Sequence, residues 1–459
     1  MPPQLALLLT VAFVLFLFRR DILEKPNVTG ALWIPLLWML ISGSRFASQW
    51  LSLFGWSVGP VTLEEGSPVD EIVFFALIAA GAYVLRRRRI HVAEIVRNNG
   101  WLTAFFVYCF VSILWSDFPF VAFKRWIKIV GHPIMVLILF TEPDPMEAVV
   151  TLMRRCAYVL VPFSVLFIKY YPEWGRGFGE WGEVVDTGVT TNKNELGWLC
   201  FVLGFFFFWN LLQARRIGDR AARREELLLN ACFLAMIWWL LLRAHSATSF
   251  VSLLVGMAII LFVGLPWVNK RFIGRYVLAG LLICTAAEAA FGISGNIINA
   301  LGKDPTLTDR TEVWQDVIGI DTSPILGAGF ESFWLGERRD KLWDKWWWHP
   351  NQAHNGYLEV YLNLGLVGLF MLGGLLIGIF WRMRRELVRN LEWGRFRLGF
   401  LIAIVVFNWT EATFKAVHLV WFVFYIIAMD YKQLGSKSFG PIRGAIGEIK
   451  ERELVCERA

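Results

Sequence analysis

Long apolar blocks almost free of charge constrain this chain more than any other feature. A helix needs roughly 20 apolar residues to cross the hydrocarbon core of a bilayer, with about 17 as a lower bound. The stretches 72–85, 196–212, 250–265, 277–287 and 358–381 meet or approach that length, the last interrupted by Glu359 and Asn363. In lipid every backbone polar group must be satisfied within its own segment, so such blocks fold as helices. Charged residues make up only 18% of the chain, against about 25% in soluble domains. The expectation is an all-α polytopic membrane protein with about 12 or 13 transmembrane helices and one large structured periplasmic loop. Helices with short loops fill residues 1–292, the loop 293–355, further helices 356–431 and a cytoplasmic tail 432–459.

Charge sets the orientation. Arg86, Arg87, Arg88 and Arg89 form a run that is costly to translocate, which places their loop in the cytoplasm. Counting spans outward, the basic segments 215–224, 270–275 and 382–397 fall on the same side, and the loops between them fall outside. Residues 293–355 carry nine acidic side chains and six Lys or Arg, so the largest outer loop is net acidic in a chain of net charge +7. Because the basic residues sit at helix ends and not along one stripe with stacking aromatics, the charge does not point to nucleic acid. The six cysteines are scattered without a Cys-x-x-Cys pair, and five lie in apolar blocks, so they read as small buried hydrophobes. At the N-terminus Arg19 and Arg20 follow the apolar run instead of preceding it, which fits an uncleaved anchor better than a secretory signal. The chain shows no internal repeat, unlike many transporters.

Chemistry is expected in the outer loop. It holds six of the 24 tryptophans, among them Trp346, Trp347 and Trp348, and disordered segments are poor in aromatics. Asp309 and Glu312 have capping-box spacing ahead of an amphipathic pattern that puts Leu307, Trp314, Val317 and Ile318 on one face. Arg310 then falls in a first helical turn, where an anion is welcome; the alternative is a surface ion pair with Asp309 or Glu312. His354, directly before the span that starts near Tyr357, has the proton affinity of a general base, while Asn355 reads as a helix cap. His349 and Asp344 lack zinc-ligand spacing. Arg243, beside His245 and Ser246 between two apolar blocks, is either a site residue or a snorkelling side chain. Lys193 and Asn194 stand at the mouth of the span from Leu196. Most tryptophans near boundaries read as belt anchors. Glu411, near an outer face, either orients a histidine or arginine or pairs with Lys415.

Three linked motifs carry a resemblance. Leu307-Thr308-Asp309-Arg310-Thr311-Glu312-Val313-Trp314, then Pro324-Ile325-Leu326-Gly327-Ala328-Gly329-Phe330, then Ala353-His354-Asn355-Gly356-Tyr357-Leu358 resemble the O-antigen ligase and polysaccharide polymerase superfamily, most of all its ExoQ-like exopolysaccharide polymerase branch. The specific part spans roughly 190–415, and the first 180 residues add only hydropathy. The resemblance implies a metal-independent inverting glycosyltransferase without cofactor in the bacterial inner membrane, its active site facing the periplasm. It would polymerise undecaprenyl-diphosphate-linked oligosaccharide units on a glycan acceptor, among membrane lipid. Chain-length regulators and export proteins are the protein partners such a role brings with it. Arg310 matches the loop arginine for the donor diphosphate and His354 the base. Lys193 and Asn194 match the motif opening a middle span, and Glu411 the late acidic position. The sequence departs from the family at Asp309, where glycine is usual, and at Ala247-Thr248, where an arginine usually follows a serine; Arg243 comes earlier. The near alternative is a ligase that transfers lipid-linked glycan to lipid A core or protein. A flippase for lipid-linked sugars is a different class and would place polar residues deep in several spans. A non-catalytic assembly subunit would need neither Arg310 nor His354.

Overall fold

The computed structural model describes residues 1–24, 26–59, 66–179, 182–291 and 310–431. The read capping residue Asp309, Leu307 and the tail 432–459 lie outside them. α1 (Pro3–Leu23) is followed by α2 (Trp33–Ser42) and α3 (Ala47–Leu53), and the last two meet at a 62° bend. Next come α4 (Pro68–Arg87), the short α5 (Val92–Asn98) and α6 (Gly100–Val111), whose end tightens to a 3-10 turn through Trp115. α7 (Pro119–Phe140), α8 (Pro145–Tyr170) and the single turn α9 (Pro172–Gly175) each begin at proline, where its missing N–H costs nothing. A two-stranded hairpin with three paired residues on each strand is the only sheet among the described residues: β1 (Arg176–Phe178) runs antiparallel to β2 (Val184–Asp186), with Arg176 opposite Asp186. The bundle continues with α10 (Lys193–Ala214), α11 (Arg220–Ala244), α12 (Ala247–Gly264) and α13 (Ile273–Phe291). The described part of the outer loop contains α14 (Arg310–Gly319) and α15 (Gly336–Lys345), and the chain closes with α16 (Gly356–Arg389), α17 (Leu391–Phe407) and α18 (Leu419–Ala428).

Among the described residues six helices, α4, α8, α10, α11, α12 and α16, are long and apolar enough to cross a membrane, or seven if the bent α2–α3 pair is one span. The 12 or 13 spans read from the sequence are reached only when α1, α7, α13 and α17 and the shorter apolar helices Gly100–Trp115 and Leu419–Ala428 also cross. Residues 408–418 form the turn between α17 and α18.

α8 and α10 are buried on nearly every face, as expected of helices that are apolar all round. Phe201 of α10 lies between Phe400 and Phe407 of α17, at ring-centroid distances of 5.4 and 5.1 Å, and Phe207 stacks on Phe233 of α11 at 4.8 Å. Polar pairs then register the helix ends. Glu226 accepts from Arg20 at 2.7 Å and from Arg154 at 2.6 Å, and Arg88 donates to Glu142 at 2.5 Å. Arg216 meets Glu392 at 2.7 Å, and Arg384 donates to the Arg271 carbonyl at 2.8 Å. The four basic segments therefore gather at one end of the bundle, as their shared sidedness required.

The outer loop is folded on its own small core. Val313, Val317, Phe333, Leu342 and Ala353 cluster against Leu362 of α16. Ile318, expected on the apolar face of α14, is instead 58% exposed; that face is Val313, Trp314 and Val317, because the packing runs along i, i+1 and i+4. The loop tryptophans depart from the belt reading. Trp314 donates to the Ala353 carbonyl at 2.7 Å, Trp343 to Pro350 at 2.9 Å and Trp346 to Asp316 at 2.8 Å, so they brace the loop itself.

Candidate active site

α16 has 34 residues, about 51 Å of helix at 1.5 Å per residue, more than a bilayer of about 30 Å requires. It breaks at Gly365, whose φ of 64° and ψ of −164° lie outside the helical region. The loop segment 324–329 fills the break. Ala328 and Gly329 donate to the carbonyls of Leu362 and Asn363 at 3.0 and 2.8 Å, and Leu366 and Val367 donate to Pro324 and Ile325 at 2.9 and 3.2 Å. Two backbones this close leave no room for side chains: a Cβ on Gly365 would stand 2.1 Å from the Ile325 oxygen, and one on Gly327 2.4 Å from Asn363. The glycine-bearing motif 324–330 is thus a main-chain splice that ties the outer loop to the membrane helix.

The splice carries the chain to Glu359, buried in the first turn of α16. Its carboxylate accepts from Trp334 Nε1 at 3.0 Å to each oxygen and from the Ala353 amide at 2.5 Å. The next residue, His354, is held at φ of 50°, a left-handed conformation that is uncommon for non-glycine residues and recurs at functional sites. Asn355 follows as the cap expected of it, its Oδ1 accepting from Tyr357 and Leu358 at 3.0 and 3.1 Å.

Thus turned, the His354 ring faces the α17–α18 turn. Its Nδ1 stands 3.5 Å from Glu411 Oε2, and Glu411 is 1% exposed. The turn is fixed from both sides: Gly356 N donates to the carbonyls of Asn408 and Glu411 at 2.8 and 2.9 Å, and the Thr410 and Thr248 hydroxyls meet at 2.7 Å. The alternative pairing of Glu411 with Lys415 is not formed, because Lys415 reaches Gln352 Oε1, while the Gln352 amide nitrogen stands 3.3 Å from His354 Nδ1. A histidine backed by a buried carboxylate can accept a proton and hold the resulting cation. His418 in the same turn is different: it is buried against Trp198, its Nδ1 caps Val420 at 3.1 Å, and burial keeps its pKa well below the usual histidine range.

Arg310 is the first residue of α14. Arg243 pairs with Asp186 of β2, which Arg176 also approaches at 3.4 Å, so at the end of α11 it pins the hairpin. Lys193 is 3.0 Å from Glu183 across the same loop. Asn194 is half-buried in the first turn of α10, whose cap is Asn192, accepting from Glu195 N at 3.0 Å. His349 stacks on Trp343 at 4.7 Å.

Sequence reasoning missed a chamber of about 880 Å³ beside the histidine. Its walls come from α3, α4, α7, the loop at 330–335 and 351, the first turns of α16, and 414–417. Asn351 and Lys415 line it, and the neighbouring Gln352 joins Lys415 to His354. The first 180 residues, read as contributing hydropathy alone, supply about half the wall, including Arg125 and Lys128. The signal was present: ionisable residues inside apolar stretches default to functional roles, and Glu359, Arg125 and Lys128 are such residues.

Residues 231–373 match the O-antigen ligase (Wzy_C) family, a segment that contains α14, α15 and His354. Over 303 residues, 63% of its length, the chain is 27% identical to the exopolysaccharide production protein ExoQ of Rhizobium meliloti (strain 1021). The alignment covers 66% of that relative, just under two thirds of it. The matched segment and the relative support a likeness to the O-antigen ligase and polysaccharide polymerase superfamily and its ExoQ-like branch, and the polytopic helical fold agrees with it.

Proposed function

We propose that the protein is a membrane glycosyltransferase that joins undecaprenyl-diphosphate-linked oligosaccharide units into exopolysaccharide at the periplasmic face of the inner membrane. The observation that carries this reading is the His354–Glu411 pair, set at the boundary between a folded loop and the membrane helices. His354 takes the proton of an acceptor sugar hydroxyl as its oxygen attacks the donor's anomeric carbon. The bond from that carbon to the diphosphate breaks, the lipid diphosphate leaves, and configuration inverts. Glu411 stabilises the imidazolium that forms. The donor is already activated, so the main demand is for positive charge where the leaving diphosphate gains negative charge. Arg310 is assigned that role, since a guanidinium fork binds two phosphate oxygens. Arg243 and Lys193 join it by exchanging Asp186 and Glu183 for phosphate, with Asn194 and Asn355 supporting. The periplasmic placement rests on the basic end of the bundle facing the cytoplasm.

The test uses protein in nanodiscs with a lipid-linked repeat unit from its host, comparing wild type with His354→Ala and Arg310→Ala. A ladder of longer glycans from wild type, lost in both folded variants, is the expected result. Elongation that survives both substitutions overturns the site. The description of the matched family favours a second reading, a ligase, which would transfer glycan only once lipid A core or a protein acceptor is supplied.

A further inference from the structure

The chamber has a charge balance unlike that of a diphosphate site. It is lined by three cations, Arg125, Lys128 and Lys415, and three carboxylates, Asp70, Glu331 and Glu359. Five of these six are engaged by neighbours. Asp70 accepts from the Ser48 amide and hydroxyl at 2.8 and 2.6 Å, Glu331 from the Ala416 amide at 2.6 Å, and Glu359 from Trp334 and Ala353. Arg125 donates to the Glu331 carbonyl and Lys415 to Gln352. Lys128 has no hydrogen bond and no ion pair among the described residues; the carboxylates nearest in effect, Glu71 and Asp70, are held by Lys124 at 2.8 Å and by Ser48. An ammonium so placed offers three donors to whatever fills the space.

The rest of the lining speaks to the occupant. Trp334 and Phe414 offer aromatic surface, and Gln49, Ser52, Asn351 and Asn363 are neutral groups that suit hydroxyls. The volume is within the roughly 300–1,000 Å³ of small-molecule sites. A diphosphate would bring two or more negative charges beside three carboxylates, whereas one carboxylate on a sugar matches one uncommitted ammonium.

We propose that this chamber holds sugar residues of the glycan and that Lys128 selects for a glycan bearing a carboxylate in that position. The proposal rests on the glycosyltransferase reading above for the identity of the ligand class. It makes Lys128 a specificity-determining residue, separated from His354 by the Lys415–Gln352 contact.

The test is equilibrium binding to the full chain in nanodiscs, without donor and without turnover. The probes are a glucose tetrasaccharide with one glucuronate, its carboxyl-reduced all-glucose counterpart, and inorganic pyrophosphate as competitor. Wild type should bind the acidic probe about tenfold or more tightly than the neutral one, as a charge-assisted hydrogen bond implies. Lys128→Met should abolish that preference while binding the neutral probe as wild type does, which also reports a folded chamber, and Lys128→Arg should retain it. Pyrophosphate should not displace the acidic probe. Equal affinity of wild type for the two tetrasaccharides overturns the proposal even if the Met variant fails to fold. So does a preference that persists in Lys128→Met, or displacement by pyrophosphate, which would assign the cations to phosphate. Elongation is assayed separately: its absence refutes the glycosyltransferase reading, whereas selectivity in binding decides the chamber.

Discussion

Replacing Gly365 by alanine tests the splice between loop and membrane helix. The residue occupies φ of 64° and ψ of −164°, a region essentially reserved for glycine, and an L side chain there costs about 1–3 kcal/mol. The added Cβ would also stand 2.1 Å from the Ile325 oxygen. Relieving that contact requires the two backbones to part by about 1 Å. The four main-chain bonds of the splice, 2.8 to 3.2 Å long, then pass beyond hydrogen-bonding range. Each contributes about 1 kcal/mol net, so the expected loss is about 3 kcal/mol or more, concentrated in the loop. Gly373 lies in the same helix with nothing within 4 Å of its would-be Cβ. Gly373→Ala should therefore cost nothing, or stabilise the helix by up to about 1 kcal/mol. The assay is thermal denaturation in detergent with amide hydrogen exchange over 324–330 and 362–367. Gly365→Ala should lower the melting temperature, speed exchange in both segments and depress glycan transfer, because the loop that positions His354 loses its anchor. If the two alanine variants melt alike and the splice exchanges as slowly as in wild type, the backbone-crowding account is wrong.

Other predictions concern the site and its supports. Glu411→Gln keeps the volume of the side chain but removes the charge facing His354, and transfer should fall by about 100-fold with the melting temperature little changed; wild-type turnover would remove Glu411 from the mechanism. Trp334→Phe deletes the indole donor to buried Glu359 and should cost about 1–3 kcal/mol, read as faster exchange at Ala353 and His354, whereas an unchanged exchange pattern would show that Glu359 is held without it. Glu226→Ala leaves Arg20 and Arg154 with Glu24 alone, at 3.0 and 3.9 Å, an expected loss of about 1–3 kcal/mol, and an unchanged melt would show the pairing to be incidental.

Much of this protein was legible in one dimension. Runs of apolar residues and the position of arginines identified the helices and the end they share, because span length and charge sidedness are local properties. The loop tryptophans signalled a folded loop, and His354 and Asn355 stood out by chemistry and position. What escaped reading were polar residues inside apolar blocks. Arg125, Lys128 and Glu359 looked like interruptions of hydropathy, and only the packing of α7 against α4 and of α16 against the loop makes them the wall of one chamber. Arg243, read as a site residue or a snorkelling side chain, is held by Asp186, a pairing that depends on a hairpin too short to announce itself in sequence.

By itself the sequence determined the class of fold, the end of the bundle that the basic segments share and the one histidine worth suspecting. Each follows from the chemistry of a residue and its near neighbours. Tertiary structure decided the rest: that Glu411 stands behind His354, that residues 324–329 close the break in α16, and that Lys415 turns to Gln352. These are contacts between segments far apart in the chain. They are set by how helices of particular shape pack, and no periodicity along one segment encodes the partner it will meet.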